Sequence, residues 1–183
     1  MIITVRIGLL ISALVIAAVV LQTAFFSRVP LLGTVPNVVP VIVICLGLLG
    51  GAVVGAVVGF GAGLLLDSIL LQTLGVTSLA LLIAGYFAGR YREGFEIANP
   101  LVPIALVGGL TLVSGIAFTA IQLTLGVEAP VSLLIVREIV VQAFLAALLA
   151  IPIYPGLRRL LRPALIEDAP ESSRSLSLPL RAG

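Results

Sequence analysis

The chain has 183 residues, of which 61% are hydrophobic and only 10% are charged, and its mean hydropathy is +1.32. Soluble domains carry about 25% charged residues, so a soluble core of this size could not bury so many apolar side chains. All basic residues are arginine and the formal net charge is only +2, which argues against a nucleic-acid-binding surface. We therefore predict an all-α fold, a polytopic transmembrane helix bundle.

Apolar segments long enough to cross a membrane follow one another along most of the chain. The second of them, residues 35–66, would be about 48 Å long as one straight helix, whereas the hydrocarbon core is about 30 Å thick. Because glycine tolerates positive φ, we expect a tight turn at Gly50-Gly51 that divides this segment. The six predicted helices are residues 7–26, 35–50, 51–66, 74–89, 101–125 and 131–157.

The composition of the chain changes at the end of the last predicted helix. Pro152, Pro155 and Gly156 are expected to break or kink that helix. One transmembrane domain is therefore predicted over residues 1–162. Residues 163–183 are polar, and we expect a disordered cytoplasmic tail there.

The arginines in the loops test the number of helices only in part. With six helices and a cytoplasmic N-terminus, every loop arginine except Arg28 lies inside, as the positive-inside rule requires. Five helices with an outside N-terminus satisfy the rule equally well, because only Arg6 and Arg28 exchange sides. Both alternatives place the C-terminus in the cytoplasm, and the length of the second apolar segment favours six helices.

Glycine recurs at every fourth position in the second and third predicted helices. Small residues at this spacing let two helix backbones approach closely in lipid. The row is therefore a packing surface, either for a neighbouring helix of the same chain or for a partner protein or second copy. Four-residue spacing rotates the row by about 40° per step, so we expect that one straight contact cannot use all of it. Its members are Gly47, Gly51, Gly55, Gly59 and Gly63.

Several polar side chains fall within or at the edge of the predicted helices. Ionisable groups there are costly and usually have a partner. Asp67 ends the third helix and Arg137 lies near the start of the sixth, so these two are predicted to form an ion pair. Glu138 is predicted to meet Arg28 instead. These polar groups are expected either to fix the register of the helices or to contact a partner or ligand. The full set is Gln22, Asp67, Gln122, Arg137, Glu138 and Gln142.

The sequence offers little reaction chemistry. It has no His, no Lys and no phosphate-binding or nucleophile-elbow motif, and the acidic residues do not pair at metal-ligand spacing. The single cysteine, Cys45, lies in an apolar segment and is interpreted as a small buried hydrophobe. We therefore expect a protein that is not an enzyme and has no cofactor.

A series of short segments occurs in a distinctive order between residues 7 and 162. They are Val35-Pro36-Asn37, the glycine row, Leu64-Leu65-Leu66-Asp67, Leu74-Gly75, Gly85-Tyr86-Phe87-Ala88-Gly89, Arg137, Pro152-Ile153-Tyr154-Pro155 and Leu157-Arg158-Arg159-Leu160-Leu161. In this order and spacing they resemble MreD, the small membrane protein family of the bacterial rod-shape system.

The resemblance implies six helices arranged like the substrate-binding subunits of energy-coupling-factor transporters. It also implies a non-catalytic scaffold in the cytoplasmic membrane that serves the elongasome in rod cell shape and lateral peptidoglycan synthesis. Its implied partners are membrane lipid, an MreC-like protein and, through it, MreB, RodA and a class B penicillin-binding protein. Whether the protein forms a homo-oligomer is left open.

A second function class shares the same helix arrangement. A solute-binding membrane subunit of an energy-coupling-factor vitamin transporter needs a pocket with convergent polar and aromatic groups. The chain has no Trp, and Tyr86, Tyr91 and Tyr154 are all predicted near cytoplasmic helix ends. These observations favour the scaffold over the solute-binding subunit.

Overall fold

The computed structural model describes residues 2–24, 37–71, 73–95, 101–126 and 133–165, and these ranges form six α-helices with no strand among them. The predicted all-α bundle of six helices is therefore confirmed. In chain order the helices are α1 (Ile2–Ala24), α2 (Val38–Gly50), α3 (Ala52–Ile69), α4 (Val76–Gly94), α5 (Leu101–Thr124) and α6 (Leu133–Leu165).

The six helices differ in how well they suit a lipid environment. By length and composition, α3, α5 and the segment Val136–Leu161 of α6 are apolar enough to cross a membrane. Helix α2 and the segment Gly8–Ala24 of α1 are apolar but shorter. Helix α4 buries mostly small residues and packs on α2, α3 and α5. One face of α4 is therefore covered by protein, while Leu79, Tyr86 and Phe87 are exposed on its outer side.

Helix α2 is the most enclosed helix of the bundle. Every residue from Val38 to Leu49 except Ile42 is buried. The side chains of α2 join those of α1, α3, α4, α5 and α6 in one hydrophobic core. At 1.5 Å per residue, its 13 residues span only about 20 Å, less than the hydrocarbon thickness. A helix this short is tolerated because its neighbours cover it on all sides.

A single residue, Gly51, joins α2 to α3. Its N–H donates to the carbonyl oxygen of Gly47 at 2.8 Å and closes α2, while its own carbonyl oxygen accepts from Gly55 N–H at 3.0 Å and opens α3. The Cα of Gly47 lies 2.9 Å from where a Cβ on Gly55 would sit, so the two helices fold back on one another. The predicted division at Gly50-Gly51 is thus where α2 ends and α3 begins.

The last helix is longer than predicted. It continues through Pro152 and Pro155 to Leu165, so of the two predicted alternatives, a break or a kink, the break is wrong. Each proline removes one backbone donor, a loss that helices in a membrane bundle tolerate when neighbouring groups compensate. Leu157 and Leu161 are buried in the common core and hold the final turns against the bundle. The rest of the predicted tail, residues 166–183, lies outside the described residues.

Replacing Gly51 by alanine is expected to destabilise the fold by about 1–3 kcal/mol, because a φ of 93° with a ψ of 178° is a conformation that essentially only glycine adopts. An added Cβ would also lie 3.1 Å from Oε1 of Glu93. The measurement is thermal unfolding in detergent, followed by a thiol-reactive fluorophore. Cys45 is the single cysteine and is fully buried, so its reaction reports unfolding directly.

Gly109→Ala is the matched control for this substitution. Gly109 lies within α5, and a Cβ there would meet nothing within 4 Å. Alanine is favoured over glycine inside a helix by about 1 kcal/mol, so this variant should melt at or above the wild-type temperature. Equal melting temperatures for the two variants would contradict the role assigned to Gly51.

Candidate helix-packing site

The glycine row packs against α4. A Cβ on Gly55 would lie 2.1 Å from the carbonyl oxygen of Gly85, and a Cβ on Gly59 would lie 2.3 Å from that of Leu81. No side-chain atom can occupy these positions. The backbones of α3 and α4 are therefore in direct contact, as small residues permit in a membrane.

The contact extends to both ends of α3. A Cβ on Gly63 would lie 2.3 Å from the Cα of Ser78, and a Cβ on Gly89 would lie 2.2 Å from the carbonyl carbon of Gly51. Because later residues of α3 meet earlier residues of α4, the two helices are antiparallel. The contact runs from the α2–α3 turn to the α3–α4 turn.

Gly47 belongs to the same packing surface. It lies on α2, yet a Cβ there would lie 2.6 Å from the carbonyl oxygen of Gly85. All five glycines therefore meet α4, and they do so from two helices and not along one straight helix. The reason is the turn at Gly51, which lets one glycine reach α4 from α2 and the others from α3. The row packs within the chain, which is the first of the two alternatives.

Asp67 is buried at the other end of the α3–α4 pair. Its Oδ2 accepts a hydrogen bond from the N–H of Gly75 at 2.8 Å and lies 3.4 Å from Oγ of Ser78. Gly75 is the residue that precedes α4, so the carboxylate lies at the positive end of that helix. Asp67 therefore joins the last turn of α3 to the first turn of α4.

The predicted ion pair between Asp67 and Arg137 is wrong for the structure as described. Asp67 makes its bonds to the start of α4, and Arg137 is exposed on α6. The short α3–α4 turn brings the N–H of Gly75 next to the carboxylate and satisfies Oδ2 without a cation, whereas Oδ1 makes no hydrogen bond within the described part of the chain. Glu138 is also exposed, and its predicted partner Arg28 lies outside the described residues.

Two charged residues near the end of α4, which the sequence analysis did not single out for this role, stabilise the α2–α3 turn. Oε1 of Glu93 accepts from the N–H of Ala52, the first residue of α3, at 2.9 Å. Arg92 donates through Nη1 to the carbonyl oxygen of Leu49 in the last turn of α2. An anion thus meets a helix start and a cation meets a helix end, which favours both helix dipoles.

The surroundings of Glu93 lower the pKa of its carboxyl group below the ordinary value of 4.5. The main cause is the hydrogen bond from Ala52, and Arg90, whose Nη1 lies 3.4 Å from Oε2, adds to it. In the sequence, the feature that could have indicated these contacts is the charged segment from Arg90 to Glu93, which directly follows Gly89. Only the antiparallel register, which places Gly89 beside Gly51, identifies what these charges contact.

Gln22 forms a third polar contact between helices. Its Oε1 accepts from the N–H of Val39 at 2.8 Å, and its Nε2 donates to Oδ1 of Asn37 at 3.0 Å. The amide thus satisfies an N–H group at the start of α2 and joins α1 to it.

A cavity lined by both polar and apolar side chains, called here the polar cavity for its glutamine, threonine and glutamate side chains, lies beside these contacts. Its volume is about 430 Å³, and Gln22, Gln122, Glu138 and Gln142 are among the residues that line it. Among the described residues, no three His, Cys, Asp or Glu side chains are grouped so that they could hold a metal ion.

Helices that are apolar enough to cross a membrane, together with close backbone contacts of α2 and α3 with α4, define this chain as an integral membrane protein. Residues 1–164 match the model of the family described as rod shape-determining protein MreD. The chain belongs to the MreD family, and the resemblance found in the sequence is confirmed. No curated protein and no solved structure matches it.

Replacing Gly59 by leucine is expected to destabilise the bundle by more than about 3 kcal/mol, because the new side chain would collide with the backbone of α4 at Leu81. Backbone atoms of a packed helix cannot move aside as a flexible side chain can. The measurement is the yield of monodisperse protein in detergent together with the temperature at which Cys45 becomes reactive.

Gly61→Leu is the control on the same helix. Gly61 is exposed, and a Cβ there would meet nothing within 4 Å. This variant should be purified in wild-type yield with a wild-type melting temperature. Similar losses for both variants would show that helix α3 is sensitive to bulk in general and not to its contact with α4.

Replacing Glu93 by glutamine is expected to lower the melting temperature at neutral pH, because the carboxylate that accepts from Ala52 loses its charge. Since the folded pKa is lowered, the carboxylate stabilises the fold above the unfolded pKa. This stabilisation is lost as the pH falls through the folded value. The difference between wild type and variant should therefore shrink below about pH 4.

Circular dichroism at 222 nm between pH 3 and pH 7 measures this difference. Glu138→Gln is the control, because no hydrogen bond from Glu138 to a helix end occurs in the described part of the chain. A Glu93→Gln effect that is independent of pH would contradict the charge-based explanation.

Proposed function

We propose that this protein is a non-catalytic scaffold of the bacterial elongasome, the machinery that synthesises peptidoglycan along the lateral wall of rod-shaped cells. It holds an MreC-like protein in the cytoplasmic membrane and, through that protein, positions MreB, RodA and a class B penicillin-binding protein. The observation that carries the proposal is the match to the MreD family over residues 1–164.

The hydrogen bonds that the polar side chains make to helix ends support this proposal. Asp67, Arg92 and Glu93 each bond to backbone groups at a helix end. Gln22 does the same at the start of α2. These bonds rigidify the centre of the bundle, which suits a protein whose task is to present a fixed surface.

The arginines favour a cytoplasmic C-terminus. Arg90 and Arg92 lie at the end of α4, and Arg158 and Arg159 lie in the last turns of α6. Because α4 and α6 are separated by one helix of opposite direction, both end on the same side of the bundle. The positive-inside rule assigns this side to the cytoplasm.

The packing of the glycine row limits where partners bind. Gly47, Gly51, Gly55, Gly59 and Gly63 are all buried against α4, so their contribution to any complex is indirect. We propose that partners bind the outward-facing surfaces of the bundle and that the glycine row keeps those surfaces in place.

The proposal is tested by depleting the protein from its rod-shaped host. Depleted cells should become round and stop inserting peptidoglycan along the lateral wall. A tagged wild-type copy should restore rod shape and co-purify the MreC-like protein from detergent-solubilised membranes. Gly61→Leu should act as wild type, whereas Gly59→Leu should fail in both assays because the bundle itself is damaged.

Two outcomes would contradict the scaffold. One is normal rod shape in fully depleted cells. The other is a well-folded tagged protein that co-purifies a transporter ATPase and no MreC-like protein, which would favour the solute-binding transporter subunit instead.

A further inference from the structure

The polar cavity lies at one end of the bundle and all six helices contribute to it. Its walls come from the end of α1, the start of α2, the end of α3, the start of α4, the second half of α5 and the start of α6. This is the end opposite Arg90 and Arg92. With a volume of about 430 Å³, the cavity falls within the size range of small-molecule binding sites, about 300–1,000 Å³.

A buried hydroxyl group on the cavity wall lacks a bonding partner. Thr111 lies on α5 and is only 4% exposed, and its Oγ1 makes no hydrogen bond within the described part of the chain. Leaving such a group unsatisfied costs about 1–3 kcal/mol. Because Thr111 lines the cavity, a molecule inside the cavity can supply the missing bond.

Two further hydroxyl groups on α5 already donate hydrogen bonds to backbone carbonyl oxygens. Oγ of Ser114 donates to the carbonyl oxygen of Thr111 at 2.9 Å, and Oγ1 of Thr119 donates to that of Gly115 at 2.9 Å. Each oxygen keeps only lone pairs for a ligand. Ser114 and Thr119 can therefore only accept a hydrogen bond from a ligand, whereas the Thr111 hydroxyl can accept or donate one.

Among the described residues that line the cavity, the only ionisable side chain is an acid. It is Glu138, which lies near the start of α6 and is exposed. A carboxylate in the lining repels anions and attracts a positively charged group. The charge of the described lining therefore favours a cationic ligand.

We propose that this cavity is a binding site for a small organic cation that carries N–H donors, such as an ammonium or guanidinium group. Glu138 provides the counter-charge, and Thr111, Ser114 and Thr119 accept hydrogen bonds from the ligand. The site goes beyond the scaffold function and is independent of it.

The test uses thiol reagents of opposite charge as probes of the cavity. Cys45 is first replaced by alanine, and Thr111→Cys is introduced as the reporter in protein reconstituted in nanodiscs. The two reagents are a cationic trimethylammonium-ethyl methanethiosulfonate and an anionic sulfonato-ethyl methanethiosulfonate. The rate at which each one modifies the reporter cysteine is normalised to its rate of reaction with free 2-mercaptoethanol. The normalised rate should be about tenfold higher for the cationic reagent, because of the nearby carboxylate.

Occupation of the site is tested by protection and by removing the counter-charge. An excess of 1,4-diaminobutane should slow the cationic reagent several-fold, whereas succinate, a dianion with the same number of carbons, should not. In Glu138→Gln the preference for the cationic reagent should fall to about one and the protection should disappear.

Two further variants keep the test decisive. Ser114→Cys is a second reporter on the same wall, for use if Thr111→Cys does not fold. Val113→Cys is the control, because Val113 is 42% exposed on α5 and does not line the cavity, so lipid should shield its thiol from both reagents.

The proposal is overturned if the two cavity thiols do not react in folded protein, or if the anionic reagent is as fast as the cationic one. It is equally overturned if diaminobutane fails to protect them or if Glu138→Gln leaves the preference unchanged. These assays measure thiol reaction rates, whereas the scaffold function is tested by rod shape and co-purification. Failure of the proposed site can therefore be distinguished from failure of the proposed scaffold function.

Discussion

Helices α3 and α4 can lie with their backbones in contact only because no side chain stands between them. Lipid chains are as apolar as leucine, so burying apolar side chains gives little drive for helices to associate in a membrane. Close backbone approach replaces that drive with dispersion and weak Cα–H hydrogen bonds. Gly55 and Gly59 create this contact, and Gly47 extends it to α2. The central group of α2, α3 and α4 therefore depends on the absence of side chains at a few positions.

The same group is fixed at both of its turns by charged side chains. Asp67 bonds to the start of α4 at one turn, while Arg92 and Glu93 bond to the ends of α2 and α3 at the other. Helix ends leave backbone groups unsatisfied, and such groups are costly near lipid. The charges at these turns are thus explained by helix architecture. In contrast, Glu138 bonds to no helix end in the described part of the chain and lines the polar cavity.

These two features separate the bundle into parts with different tasks. The centre is closely packed, and Asp67, Arg92 and Glu93 each bond to a backbone group at a helix end, which favours a rigid framework. The cavity lies between the ends of all six helices and has a buried, unpartnered hydroxyl group on Thr111. The proposed scaffold function and the proposed small-molecule site can therefore coexist in one bundle, because the groups assigned to the ligand, Glu138 and the hydroxyl groups of α5, are not those that join the helix ends.

The sequence by itself determined the class of fold and the chemical character of the packing surface, and it favoured six helices over five. These follow from local properties: apolar segments must be long enough to cross lipid, and a row of glycines at four-residue spacing permits close approach wherever it lies. The turn at Gly50-Gly51 followed from the same length argument. The family could also be identified, because it depends on the order of short segments along the chain.

The tertiary structure decided which groups meet. The sequence could not show that all five glycines face α4, because the rotation of the row is interrupted where the chain folds back at Gly51. It could not pair Asp67 with the start of α4, or Glu93 with Ala52, because those contacts depend on the register of two antiparallel helices. The continuation of α6 to Leu165 likewise depends on Leu157 and Leu161 entering a core formed by other helices. Contacts between residues distant in the chain are set by packing, and packing is not a local property of sequence.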